Sequence, residues 1–233
     1  MYDELLELNV QEGVPMTNRQ SGRTVGRPAG PTAKGASTRA HIVDSAATVF
    51  ADLGYDNARM SVLVDATGLT KGAVYFHFDS KESLALAVLE DKNREWVSKV
   101  RSALSSVPAG RRLEALLPTM LTIHRDDPTV WAVSKLTRNL TDLGQDSPVR
   151  RRVAEVNQEW VDLVGAVVGE AQERGEVRAD LDSVSVAIAL IGAFDGLKAL
   201  HDTLTEDGTE PFASGAQALG AMAVAGLAPT GGA

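Results

Sequence analysis

The chain has 233 residues, of which 44% are hydrophobic, carries a formal net charge of −8 and contains no cysteine. This length suffices for one large or two small domains with a substantial core, and the absence of cysteine excludes a disulfide framework and thiolate chemistry. Because there is no uninterrupted apolar run of about 18 residues and the acidic N-terminus is unlike a signal peptide, the composition predicts a cytoplasmic protein with no membrane partner.

The N-terminal segment is predicted to be a disordered basic arm, residues 1–37. From residue 15 to 40 the chain carries five basic and no acidic residues, namely Arg19, Arg23, Arg27, Lys34 and Arg39. Within it, Val25-Gly26-Arg27-Pro28 is similar to part of an AT-hook, in which an extended arginine lies in a narrow A·T-rich minor groove. The alternative interpretation is a solubilising tail that contacts no DNA.

Two helices follow the arm. The first is predicted from 38 to 53 and ends at Gly54, because Ile42, Ala46, Val49, Phe50 and Leu53 fall on one face of a helix. The stretch from Met60 to Ala66 also has helical apolar spacing. Asn57 is the candidate cap of this second helix, and Arg59 is a candidate phosphate contact.

A third helix begins after Gly68, with Thr70 as its predicted N-cap. Its core face is predicted to hold Ala73, Val74, Phe76 and Phe78, and the residues left for a partner are Thr70, Lys71, Gly72, Tyr75 and His77. A helix, a turn with glycine and a second short helix form a helix-turn-helix, whose second helix can enter the DNA major groove. Hydrogen-bond donors and one cation suit a polyanion.

The residues TKGAVYFHFDSKESLALAVL, which start at Thr70, resemble the DNA-binding signature of the TetR family of bacterial one-component repressors. The resemblance covers about residues 38 to 90, and it departs at Ala58-Arg59, where the family has Thr-Ser or Thr-Thr. It implies that Tyr75, His77 and Lys81 contact phosphates, although the two rings could instead pack against the first helix. The predicted DNA contacts are Thr70, Lys71, Gly72, Tyr75, His77, Lys81, Arg59 and Arg27.

The remaining chain is predicted to be helical throughout, which gives an all-α fold with a three-helix DNA-binding domain (38–83) and a helical ligand-binding and dimerisation domain (84–228). Ser80 with Ser83 or Glu82 approximates a capping box at the start of the fourth helix, which connects the two domains. The later helices are predicted at 111–125, 128–142, 148–175, 182–205 and 211–227. Pro118 is expected to kink or split the first of them.

The last two helices are predicted to form a homodimer interface. Apolar residues such as Ile188 and Met222 share these helices with many Gly and Ala residues, which permit close helix approach. A two-fold dimer would also present two recognition helices to a palindromic operator. The alternative is that both helices are buried within one monomer.

The helical domain also contains the candidates for a small-molecule site, because ligand pockets are largely apolar with a few polar groups. The stretches RDDP, Glu159-Trp160 and AQERGEVRADLDSVSVAIALIGAFDGLKALHD are similar to the γ-butyrolactone receptor branch of the family, whose matching tryptophan lines the lactone pocket. Asp195-Gly196 departs from that branch and would suit a ligand hydroxyl or amine. The predicted ligand-binding residues are Trp160, Trp131, His124, Asn157, Phe194 and Asp195.

These patterns predict a ligand-released repressor, in which DNA and effector weaken each other by the same coupling free energy. No catalytic residue, metal ligand or cofactor is predicted, since the chain has no nucleophile elbow or phosphate loop and its four histidines lie in different segments. A ligand- or protein-binding module that has lost DNA binding is the alternative, because the overall charge is acidic.

Overall fold

The computed structural model describes residues 32–127, 129–142, 148–204 and 210–229. Regular structure in these ranges is helical, which confirms the all-α prediction. The helices are α1 (Ala33–Asn57), α2 (Met60–Thr67), α3 (Lys71–His77), α4 (Lys81–Ser105), α5 (Arg112–Asp126), α6 (Thr129–Thr141), α7 (Pro148–Glu173), α8 (Ser183–Leu204) and α9 (Glu210–Leu227), with a 3₁₀ turn at Ala109–Arg111. Arg27 and most of the predicted arm lie outside the described residues.

The first helix begins earlier than predicted. Thr32 caps it, because its hydroxyl accepts a hydrogen bond from the Gly35 amide at 3.1 Å, so residues 33–37 are helical rather than part of a disordered arm. Gly54 has φ 74° and ψ 166° and interrupts the helix at the predicted position. Leu53 is exposed rather than buried, since it lies in the last turn before this break.

The caps of the following helices are mostly those predicted. Gly68 ends α2 with φ 65°, a left-handed conformation that glycine adopts at little cost. Thr70 accepts from the Ala73 amide at 3.2 Å to cap α3, and Ser80 and Ser83 form a reciprocal capping box at α4. The prediction for Asn57 is wrong: its side-chain amide donates back to the Leu53 carbonyl at 3.1 Å, and no side chain caps α2.

Each predicted helix beyond residue 110 matches an observed one to within two residues at both ends, because Gly, Pro and Asp mark the breaks. Pro118 lies inside α5 without splitting it. Because proline has no backbone N–H, α5 continues through this position with one intrahelical hydrogen bond fewer.

One hydrophobic cluster joins the DNA-binding helices to part of the second domain. It contains Ile42 of α1, Leu63 of α2 and Val74 of α3 together with Val133 of α6 and Val156 of α7. A second cluster, built from α4, α5, α7, α8 and α9, lies farther from α3. Helix α6 therefore packs directly on the DNA-binding helices, and α4 contributes to both clusters.

The outer faces of α8 and α9 leave large apolar side chains in solvent. They include Val184, Ile188, Leu200, Leu204 and Met222. The window Ser183–Leu200 has a mean hydropathy of 1.6 and is long and apolar enough, by composition alone, to cross a membrane. It also holds the ion pair of Asp195 with Lys198, which interrupts the apolar run.

Candidate nucleic-acid interface and ligand cavity

Helix α3 presents a continuous outer face. Lys71, Gly72, Tyr75 and Phe76 are exposed, and Val74 is fully buried against the core. The prediction that Phe76 packs inward is wrong, since its side chain is 84% exposed. The helical period explains this, because positions 72 and 76 share the face opposite the buried Val74.

The outer face of α3 combines a cation, a hydroxyl and aromatic rings. The Lys71 Nζ lies 5.4 Å from the centroid of the Tyr75 ring, and the His77 ring meets Phe76 edge-on at 5.1 Å. Thr70 is exposed at the N-terminus, and no carboxylate occurs from Thr70 through Phe78. This arrangement can donate hydrogen bonds to phosphates and base edges without repelling them.

Lys81, a predicted phosphate contact, is used within the protein. Its Nζ donates to the Tyr55 carbonyl at 2.9 Å and lies 4.2 Å from the centroid of that ring. The Tyr55 hydroxyl donates to Glu82 at 3.2 Å, and burial followed by the Glu82 charge raises the pKa of Tyr55 to about 12. Lys81 thus fastens the start of α4 to the end of α1. Arg59 is exposed before α2.

Between α4, α5, α6, α7 and α8 lies a cavity of about 320 Å³. The buried residues of its floor are Leu89, Asn93, Trp96, Met120, His124, Val133, Val156 and Phe194. The exposed residues of its rim are Arg138, Asn157, Asp195, Gly196 and Ala199. The half-buried residues between them are Ser134, Thr137, Trp160, Ile191 and Lys198. An apolar floor beneath a polar rim suits a small amphiphilic molecule.

The cavity brings together five of the six residues that the sequence predicted for ligand binding: His124, Asn157, Trp160, Phe194 and Asp195. Trp131 lies in α6, and its side chain is outside the described part of the structure. Trp96 and Lys198 also line the cavity, although the sequence did not indicate either as a ligand-binding residue. Trp96 continues the apolar stripe of α4, so only its place in the cavity lining distinguishes it from an ordinary core residue.

Two polar groups on α4 are already paired beneath the cavity. The Asn93 amide donates to Glu159 at 2.8 Å, and the Trp96 indole N–H donates to Asp127 at 2.8 Å. Burial opposes ionisation of Asp127, but hydrogen bonds from Thr129 and Trp96 outweigh it and lower the pKa of that carboxyl. These bonds fix the side chains of α4 without any ligand.

His124 forms part of the cavity floor. Its Nδ1 lies 2.8 Å from the Met120 carbonyl oxygen, and its ring meets Phe194 edge-on with centroids 4.9 Å apart. Burial, with the Lys198 ammonium as the next cause, lowers the pKa of His124 to about 4. Lys198 pairs with Asp195. The cavity therefore offers a neutral imidazole below and an ion pair at the rim.

Comparison with known proteins supplies relatives for both regions. Residues 42–88 match the profile of bacterial regulatory proteins, tetR family, and residues 139–219 match a tetracyclin repressor-like C-terminal domain. The A-factor receptor protein of Streptomyces griseus is 29% identical over 172 residues, 73% of this chain and 57% of that protein. The HTH-type transcriptional repressor DhaR of Mycobacterium sp. (strain GP1) is 28% identical over 68% of this chain and 79% of its own length.

Solved structures agree. A structure described as the molecular basis for control of antibiotic production by bacterial hormones is 30% identical, with a TM-score of 0.66 over 82% of this chain and 98% of its own. FadR of Bacillus subtilis in complex with stearoyl-CoA shares the fold alone, at 16% identity, a TM-score of 0.70 and coverage of 81% of this chain and 98% of that one. The chain belongs to the TetR family of bacterial transcriptional regulators, and among its relatives it resembles a γ-butyrolactone receptor.

Proposed function

We propose that the protein is a cytoplasmic repressor that binds a palindromic operator as a homodimer and leaves the DNA when a small molecule enters the α4–α8 cavity. The observation that carries this proposal is the position of the cavity. Its walls include α4, which begins beside α3, and α6, which packs on the DNA-binding helices. A ligand that shifts either helix would change how α3 is presented.

The DNA contacts are assigned to the outer face of α3. Thr70 and Lys71 would read base edges, with Gly72 allowing close approach, while Tyr75 and His77 would hold phosphates. Arg59, which is exposed just before α2, would add a phosphate contact, and Arg27 would add a minor-groove contact. Lys81 would act chiefly by fixing α4, because the Tyr55 carbonyl accepts one of its hydrogen bonds.

The homodimer would use the outer faces of α8 and α9. A monomer that exposed Ile188 (56%) and Met222 (65%) would carry an apolar surface of the kind that marks an interaction site. A two-fold axis through these helices would pair the surface with itself. It would also set two copies of α3 about one DNA turn or more apart.

The ligand is proposed to be a γ-butyrolactone-type autoregulator, held among Trp160, Phe194, Asn157 and Asp195, with Trp131 as a further candidate on α6. The likeness to the A-factor receptor supports this class, and so does the cavity volume of about 320 Å³. A site of this size is at the small end of ligand pockets. It suits a small lactone with a short chain better than a long acyl thioester.

A gel shift with the purified protein and the DNA upstream of its own coding sequence tests the proposal. The DNA should be bound, and an organic extract of the host culture should release it. Trp160→Ala should still bind the DNA but should resist release, because the tryptophan lines the cavity and is not part of α3. No affinity for the upstream DNA at low salt would favour a module that has lost DNA binding.

A further inference from the structure

One nitrogen of the His124 imidazole is hydrogen-bonded within the protein, and the other is available to a ligand. Nδ1 faces the Met120 carbonyl oxygen at 2.8 Å, and a carbonyl can only accept, so Nδ1 carries the hydrogen. In a neutral imidazole the other nitrogen is then an acceptor. Nε2 therefore presents a lone pair, and the low pKa of about 4 that burial gives His124 keeps this form at neutral pH.

This lone pair faces the cavity. His124 is only 7% exposed, and among the described residues no side chain or backbone group donates a hydrogen bond to Nε2. Among the described residues, every buried side-chain nitrogen or oxygen that solvent cannot reach has a hydrogen-bond partner. Nε2 must therefore touch accessible space, and the space that the ring lines is the cavity.

The ring is also held in one orientation. Phe194 meets it edge-on at 4.9 Å, and Phe212 lies 5.9 Å away with a tilt of 42°. The Met120 hydrogen bond fixes the remaining rotation. An acceptor fixed in an apolar floor distinguishes ligands by whether they carry a donor at that point, since an unmatched buried polar group is costly.

We propose that the effector is a hydroxylated molecule whose O–H donates a hydrogen bond to His124 Nε2 while its apolar part lies against Trp96 and Phe194. This inference rests on the proposed function of the cavity. A carbonyl oxygen at the same position would bring a second lone pair towards Nε2, and a methylene would leave Nε2 without a donor. Among lactones, the inferred class therefore bears a hydroxyl on its side chain.

Three synthetic γ-butyrolactones of equal chain length test this, with a secondary alcohol, a ketone or a methylene at the first side-chain carbon. Calorimetric titration of the full-length protein should give a Kd for the alcohol that is lower by about tenfold or more than for the other two. His124→Phe should bind all three within about threefold of one another, because its ring fills the space but accepts nothing. Thr122→Val, on the same helix but outside the cavity, should keep the wild-type preference.

Two results would overturn the inference: equal affinity of the wild-type protein for alcohol and ketone, or an unchanged alcohol preference in His124→Phe. Binding to the upstream DNA without ligand shows that the variant is folded, and His124→Gln, which restores an acceptor, should recover part of the preference. If none of the three lactones binds, both the inference and the lactone class fail. If the alcohol binds with the expected preference but does not release the DNA, the contact stands and the proposed switch fails.

Discussion

The outer face of α3 and the α4–α8 cavity use aromatic and polar side chains in opposite ways. On α3, the rings of Phe76 and Tyr75 are exposed to solvent next to the exposed ammonium group of Lys71. In the cavity, Phe194 is 1% exposed, and Asn93 and Trp96 are already hydrogen-bonded. A surface for a hydrated polyanion can keep its groups free, whereas a site for a small ligand must be held in shape by the core.

The largest expected effect is on stability, and it should differ between the buried Phe194 and the exposed Phe76. Phe194→Ala should lower the free energy of unfolding by about 3–5 kcal/mol, because it removes a buried ring and leaves a void. Phe76→Ala should change it by less than about 0.5 kcal/mol, since the ring is exposed. Urea denaturation at one fixed protein concentration measures both, because the proposed dimer would make stability concentration-dependent. A small loss for Phe194→Ala would mean that the cavity floor collapses readily.

The buried histidine should make stability depend on pH. The folded-state pKa of His124 is about 4, against about 6.5 in the unfolded chain. Below pH 6.5 the unfolded chain binds the extra proton, so the free energy of unfolding should fall with decreasing pH by up to about 3 kcal/mol by pH 4. Urea titrations should show this decrease in the free energy of unfolding between pH 7 and pH 4 for the wild-type protein and not for His124→Phe. Parallel curves would mean that the imidazole is not held neutral.

The cation on α3 should matter for DNA and not for stability. Lys71→Ala should weaken binding to the upstream DNA by about 1–3 kcal/mol, and its salt dependence should fall by about one counterion if the contact is to phosphate. Lys99→Ala, which removes a cation that pairs with Glu95 on α4, is the matched control. Unchanged affinity and salt slope for Lys71→Ala in gel shifts would remove α3 as the reading helix.

How far the sequence predicted these features depends on how local their causes are. The α3 and α4 caps and the helix ends follow from neighbouring residues, so Thr70, Ser80 and Gly68 were predicted correctly. Phe76 was misplaced because a seven-residue helix gives periodicity too few positions to identify its buried face. Lys81 and Tyr55 are 26 residues apart, so a contact at this separation leaves no local pattern.

The cavity shows the same limit. Apolar aromatics with interspersed polar residues indicated that α5, α7 and α8 contribute to a ligand site, and His124, Trp160 and Phe194 do line one cavity. Lys198 and Trp96 were missed because each resembles an ordinary member of its helix, and only packing brings them to the same space. The assignment of the lone pair on His124 also needed the Met120 carbonyl, which sequence alone does not orient.

The smallest expected effect lies at Thr70, where structural and DNA-binding roles meet. Its hydroxyl caps α3 by accepting from the Ala73 amide, so Thr70→Ala should cost about 1 kcal/mol of stability. Thr70→Asp should keep the cap, since aspartate is among the best N-cap residues, but it places a carboxylate beside Lys71 on the face proposed for DNA. Its stability should match wild type while its affinity for the upstream DNA falls. If Thr70→Asp bound DNA as well as wild type, the N-terminus of α3 would not approach the phosphates or base edges, and the reading face would have to begin nearer Tyr75.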